Sequence, residues 1–151
     1  YYVIHEGAHL AVALALGVFK QINIIGLGMQ IDVFAEQMTP SQMGWFCAAG
    51  PIATFVAGWL LVIFTSKICN IKSALIRTCA WYTSLTMLIL DPLYLSLFYR
   101  WVGGGDMNGI ALIVPEVVAS VVAAIIGVVN IIVIWKVLYP AYTRSFAEEK
   151  K

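Results

Sequence analysis

The stretch Tyr1-Tyr2-Val3-Ile4-His5-Glu6-Gly7-Ala8-His9-Leu10-Ala11-Val12-Ala13-Leu14-Ala15-Leu16 puts three ionisable side chains within five residues of an otherwise apolar run. On a helix, positions i and i+4 share a face, so His5 and His9 can turn both imidazoles toward one point. Glu6 lies one step round the helix, close enough to reach a water held at that point. Two imidazoles at this spacing suit a zinc ion, which lowers the pKa of a bound water to about 7 so that a carboxylate can take its proton during attack on a carbonyl. These are the only two histidines in the chain. A charged group at bilayer depth costs about 2.5–3.5 kcal/mol even on insertion scales, so such a cluster in an apolar helix marks function.

Composition sets the surroundings. Of 151 residues, 62% are hydrophobic and 11% charged, where soluble domains carry roughly 25% charged residues. A water-soluble fold of this size could not hide so much apolar surface, so lipid is the expected solvent. The net charge of +1 and the lack of a basic tract argue against a nucleic-acid partner. Cys47, Cys69 and Cys79 form no paired motif and read as buried, inert thiols. Tyr1 falls inside an apolar stretch with no leader pattern around it, so the sequence reads as lacking the start of its first helix.

A membrane-spanning helix needs about 20 mostly apolar residues. Four segments approach this: 1–19, 43–65, 74–99 with an interruption at Asp91-Pro92, and 115–138, with Pro115 in a first turn and Pro140 just past the end. Residues 21–35, with partial alternation around Gly26 and Gly28, predict a β-hairpin. The expected fold is therefore an all-α polytopic membrane protein of about four transmembrane helices, with a short β-hairpin between the first two. Gly103-Gly104-Gly105 breaks the helix before Asp106, and such a break in lipid needs protein or water to cover it. Residues 142–151 read as a polar, solvated tail following a membrane-embedded core over 1–141.

Two histidines do not complete a zinc site, which usually takes three protein ligands. Without a third histidine or a cysteine pair, the candidates are carboxylates. Asp106 leads, because it follows the glycine break in an apolar neighbourhood; Asp91 and Glu116 remain alternatives, Glu116 standing where an acid suits a helix dipole. Asp32 and Glu36 lie in or beside the hairpin and are more easily solvated. Alternating crossings put the glycine-rich segment on the side toward which the first helix runs, so a re-entrant loop there could carry Asp106 back to His5 and His9.

With these residues placed, the sequence resembles the site-2 protease family of intramembrane zinc metalloproteases. His5-Glu6-Gly7-Ala8-His9 matches that family's H-E-x-x-H, Ala49-Gly50-Pro51-Ile52-Ala53 looks like its A-G-P-x-A, and Gly105-Asp106 occupies the place of its aspartate ligand. Together they bracket roughly the first 110 residues. The chain departs from the pattern in Thr54, where many members have asparagine, in the absence of N-x-x-P before Asp106, and in the position of Gly109. No room exists for an inserted PDZ-like domain. The resemblance implies a Zn²⁺ cofactor held by His5, His9 and Asp106, Glu6 as the catalytic carboxylate, and a multi-pass protein that cleaves transmembrane protein substrates in or near the lipid bilayer. It further implies that the 21–35 hairpin pairs with unwound substrate; Asn108 could help orient substrate, against a plain loop role.

Two matters stay open in the sequence. The positive-inside rule sets Lys67, Lys72, Arg77, Lys136, Arg144, Lys150 and Lys151 against Lys20 and Arg100, which orients the chain opposite to what the resemblance implies. The rival functions are a metal-free binding protein on the same scaffold, a membrane zinc protease with a glutamate third ligand, and a transporter.

Overall fold

A computed structural model describes residues 1–25, 28–103 and 105–148 of the chain. Helix α1 (Tyr2–Ala15) leads into strands β1 (Phe19–Ile25) and β2 (Gly28–Val33). Then come α2 (Pro40–Ile63), the short α3 (Thr65–Cys69), α4 (Ala74–Leu93), α5 (Tyr99–Val102), α6 (Gly105–Ile110), α7 (Glu116–Val133) and α8 (Tyr139–Glu148). The predicted hairpin forms, antiparallel with Ile22 opposite Ile31 and a register irregularity between Phe19 and Gln21. Of its expected centre, Gly26 lies outside the described residues, whereas Gly28 opens β2.

Local sequence explains most boundaries. The α1 terminus closes in a Schellman motif: Gly17 turns left-handed at φ 69°, its N–H donates to Leu14 O at 3.1 Å, and the Val18 N–H donates to Ala13 O at 3.0 Å. Glycine takes that conformation without a Cβ penalty. At the start of α2, the Gln42 N–H donates to Thr39 Oγ1 at 3.2 Å and the Thr39 N–H to Gln42 Oε1 at 2.9 Å. This reciprocal cap is followed by Pro40 in the first turn.

Three helical stretches among the described residues are long and apolar enough to cross a membrane: Pro40–Ile63, Ala74–Val102 and Glu116–Ala147. The expected fourth is not among them. Helix α1 has 14 residues and rises about 21 Å at 1.5 Å per residue, short of the roughly 30 Å hydrocarbon core. Its expected continuation, Val18 and Phe19, turns into the hairpin instead.

The prolines also behave differently from expectation. Pro92 lies inside α4, and the helical path continues through a π turn at Tyr94–Phe98 into α5. A second π turn, Ile134–Leu138, joins α7 to α8, and Pro140 sits in the first turn of α8 rather than beyond the helix. Wider i→i+5 turns let a helix absorb a local mismatch without ending. The region read as a solvated tail is helical as far as Glu148; Tyr142 is buried and Ser145 Oγ donates to Cys69 O at 2.8 Å. Residues 149–151 lie outside the described residues.

The apolar interior has two parts. Ala13, Val18, Ile31, Phe46 and Cys47 join α1, the hairpin and α2, while Leu88, Leu138 and Tyr142 join α4 to the far end of α7 and α8. Only Cys47 of the three free thiols is buried, and Cys79 is exposed, contrary to the sequence expectation. Much of α7 faces outward: Val117, Val121, Val128 and Ile131 are exposed, an apolar surface that suits lipid contact.

Close helix approach at α2 and α4 depends on Gly58, where an added Cβ would come 2.9 Å from Leu88 Cδ2 and 3.1 Å from Met87 Cβ. Gly58→Val should destabilise the detergent-solubilised protein by about 1–3 kcal/mol through overpacking, read as a lower midpoint in denaturant unfolding. An unchanged midpoint would mean that the two helices do not approach so closely.

Candidate metal centre

The helical period sets the first half of the site. His5 and His9 are buried, at 7% and 4% exposure, with ring centroids 4.9 Å apart. Both point into the space left by α2, where Gly50 stands. A Cβ at Gly50 would come 2.6 Å from His5 Nε2, and closer still to His9 Nε2. The A-G-P motif thus has a physical reason in this chain: any larger residue would occupy the place of the imidazole tips.

The second half comes from the far part of the chain. Gly103 ends α5 with φ 101°, Gly104 lies outside the described residues, and α6 then carries Asp106 onto the two histidines. Asp106 Oδ2 lies 3.1 Å from His5 Nε2 and Asp106 Oδ1 lies 3.4 Å from His9 Nε2. The three side chains offer ligand atoms within 4.8 Å of one another.

The partners of the other ring nitrogens bear on what fits between these three. His9 Nδ1 is 2.7 Å from Phe46 O, an acceptor only, so that nitrogen carries the proton. His5 Nδ1 faces Asp91 Oδ1 at 3.3 Å and Tyr1 Oη at 3.2 Å. With hydrogen on both Nδ1 atoms, both Nε2 lone pairs meet the Asp106 carboxylate, an acceptor–acceptor contact that requires a proton or a metal cation between them. A tetrahedral ion with arms of about 2.0–2.1 Å has ligand–ligand edges of about 3.3–3.4 Å, within the 4.8 Å that contains the three ligand atoms. Two imidazoles and a carboxylate also form a donor set that zinc accepts while keeping a position open. The residues fit the ion.

Glu6 is half-buried beside the histidines, and its Oε2 accepts the Ile31 N–H of β2 at 3.2 Å. That bond ties the hairpin to the site. Together with Gln30, Ile31, Tyr94 and Val102, the histidines, Glu6 and Asp106 wall a cleft of ≈ 530 Å³.

The structure separates the alternatives for the third carboxylate. Asp91 lies against the opposite ring nitrogen of His5, not at the shared point. Glu116 accepts from Tyr99 Oη at 2.5 Å and from Arg100 at 3.1 Å, and Asp32 pairs with Lys20 at 3.0 Å. Asn108, considered for substrate orientation, is exposed and donates to Gly103 O at 3.4 Å, outside the cleft walls. Sequence reasoning missed the roles of Gly50 and Phe46. The first had a signal in its motif, whereas the second acts through a backbone carbonyl that any residue would supply.

Gly50→Ala should displace the imidazoles and, if the centre takes zinc, sharply lower the zinc retained per chain. Gly7→Ala, inside the same H-E-G-A-H motif but with nothing within 4 Å of its added Cβ, should retain it. Equal zinc content in the two variants, by elemental mass spectrometry, would contradict this packing. Comparison with protein-family models, with curated proteins and with solved structures finds no match.

Proposed function

We propose that this protein is an intramembrane zinc metalloprotease, a multi-pass protein that hydrolyses peptide bonds in or near the transmembrane segments of other membrane proteins. The observation that carries the reading is the convergence of His5 Nε2, His9 Nε2 and the Asp106 carboxylate, with Glu6 on the same cleft. Three helices apolar enough to span a bilayer support its setting, and the motif resemblance to site-2 proteases points the same way.

His5, His9 and Asp106 would hold the ion. When bound, zinc supplies Lewis-acid polarisation of the scissile carbonyl and makes water easier to deprotonate. Glu6 takes the proton that water loses as its oxygen bonds to the carbonyl carbon, then delivers it to the amine nitrogen as the C–N bond breaks. The Ile31 N–H holds Oε2, leaving Oε1 free for that transfer. A transmembrane segment exposes its peptide bonds only after local unwinding, and an unwound strand needs new hydrogen-bond partners. The edge of β2 away from β1 offers an extended segment the backbone groups that Glu6 does not use. A glutamate third ligand is disfavoured by the bonds from Tyr99 and Arg100 to Glu116.

The test is a set of three variants assayed for zinc content and for cleavage of a co-reconstituted single-span reporter with a helix-destabilising membrane segment. Glu6→Gln should keep its zinc and lose about 10²–10⁴-fold in cleavage rate, the usual worth of a general base. Asp106→Asn should lose zinc, and Glu116→Gln should resemble the wild type. A wild type that holds no zinc would favour a metal-free binding protein, and full cleavage by Glu6→Gln would remove the mechanism.

A further inference from the structure

Asp91 is a buried carboxylate, 4% exposed, in an apolar stretch long enough to span a membrane. A charge at such depth is costly unless partnered or used. Two hydroxyl donors and one imidazole surround it. The Tyr1 and Thr54 hydroxyls both donate to it, one on each oxygen, and His5 Nδ1 lies 3.3 Å from Oδ1. Thr54 Oγ1 also lies 3.2 Å from Gly50 O and 3.0 Å from Pro51 O. Its single proton goes to one acceptor, and the carboxylate is the strongest of the three. With α1 on one side and α2 on the other, the Asp91 carboxylate cannot rotate without breaking a bond.

Its position relative to His5 is the informative part. Asp91 Oδ1 lies 3.3 Å from Nδ1 beside the Tyr1 hydroxyl at 3.2 Å, which itself donates to Asp91, while Asp106 meets Nε2. An acceptor on Nδ1 fixes the tautomer with its lone pair on Nε2 and holds the ring plane, and a charged acceptor also makes that lone pair more basic. His9 receives the same service from the uncharged Phe46 carbonyl. The two ligand histidines are therefore supported unequally, one by a backbone dipole and one by a full charge.

We infer that Asp91, held by Thr54 and Tyr1, is the positioning residue for His5, setting its tautomer and strengthening its hold on zinc. The inference rests on the proposed zinc centre. It gives Thr54, which stands where the resembled family often has asparagine, a definite task in this chain.

The experiment measures zinc affinity by chelator competition for the purified wild type, Asp91→Asn, Thr54→Val and Asp106→Asn. Ring ¹⁵N spectra of the zinc-free proteins are recorded beside it. With two histidines in the chain, those spectra are simple to read. Asp91→Asn, which keeps shape but loses charge, should bind zinc about 10–100-fold more weakly, the usual effect of losing such a partner. Thr54→Val should show a smaller loss of the same sign. In Asp91→Asn the His5 ring signals should move and those of His9 should not, a difference that general loosening of the fold would not produce. If Asp106→Asn loses zinc while Asp91→Asn binds it as the wild type does, the positioning role is overturned and the centre stands. If Asp106→Asn also binds normally, the centre itself falls, and this inference with it.

Discussion

The structure turns on a single electrostatic requirement: two buried imidazoles and a partly buried carboxylate face one another. Those lone pairs repel unless a proton or a cation stands between them, and no lysine or arginine pairs with Asp91 or Asp106 among the described residues. Every neighbouring element is arranged around that meeting. α1 supplies the histidines at one-turn spacing, α2 withdraws its backbone to a glycine, and a break after α5 lets α6 bring Asp106 inward. A protein that needed only to fold in lipid would put leucines at these positions.

The hairpin belongs to the same arrangement rather than hanging from it. Ile31 joins the apolar cluster beneath α1 and α2, and its own N–H fixes the Glu6 carboxylate. One residue therefore anchors the strand by its side chain and orients the Glu6 carboxylate by its backbone. The Gly17 turn that stops α1 creates this geometry, because it sends the chain straight back along the helix it has just left.

How much of this could be read in advance depends on the range of the interaction. His5, Glu6 and His9 were legible because helical period is local, and Asp106 because elimination left few carboxylates after a glycine break. The apolar run overstates the first helix, since Val18 and Phe19 are apolar in an extended chain as in a helix, and periodicity alone does not separate the two. Asp91 was visible as an ionisable residue in an apolar span, but which nitrogen of His5 it meets is a tertiary fact. The use of Gly50 as empty space is likewise invisible until the imidazoles are placed against α2. Within the polar tail, composition hides Tyr142, which packs inward.

The most direct measurement is X-ray absorption at the zinc edge on the purified wild-type protein. The account predicts one zinc per chain with a first shell of nitrogen and oxygen at about 2.0–2.1 Å, outer-shell scattering from two imidazoles, and no sulfur. Absence of zinc, or a shell containing the Cys47 sulfur at about 2.3 Å, would contradict it.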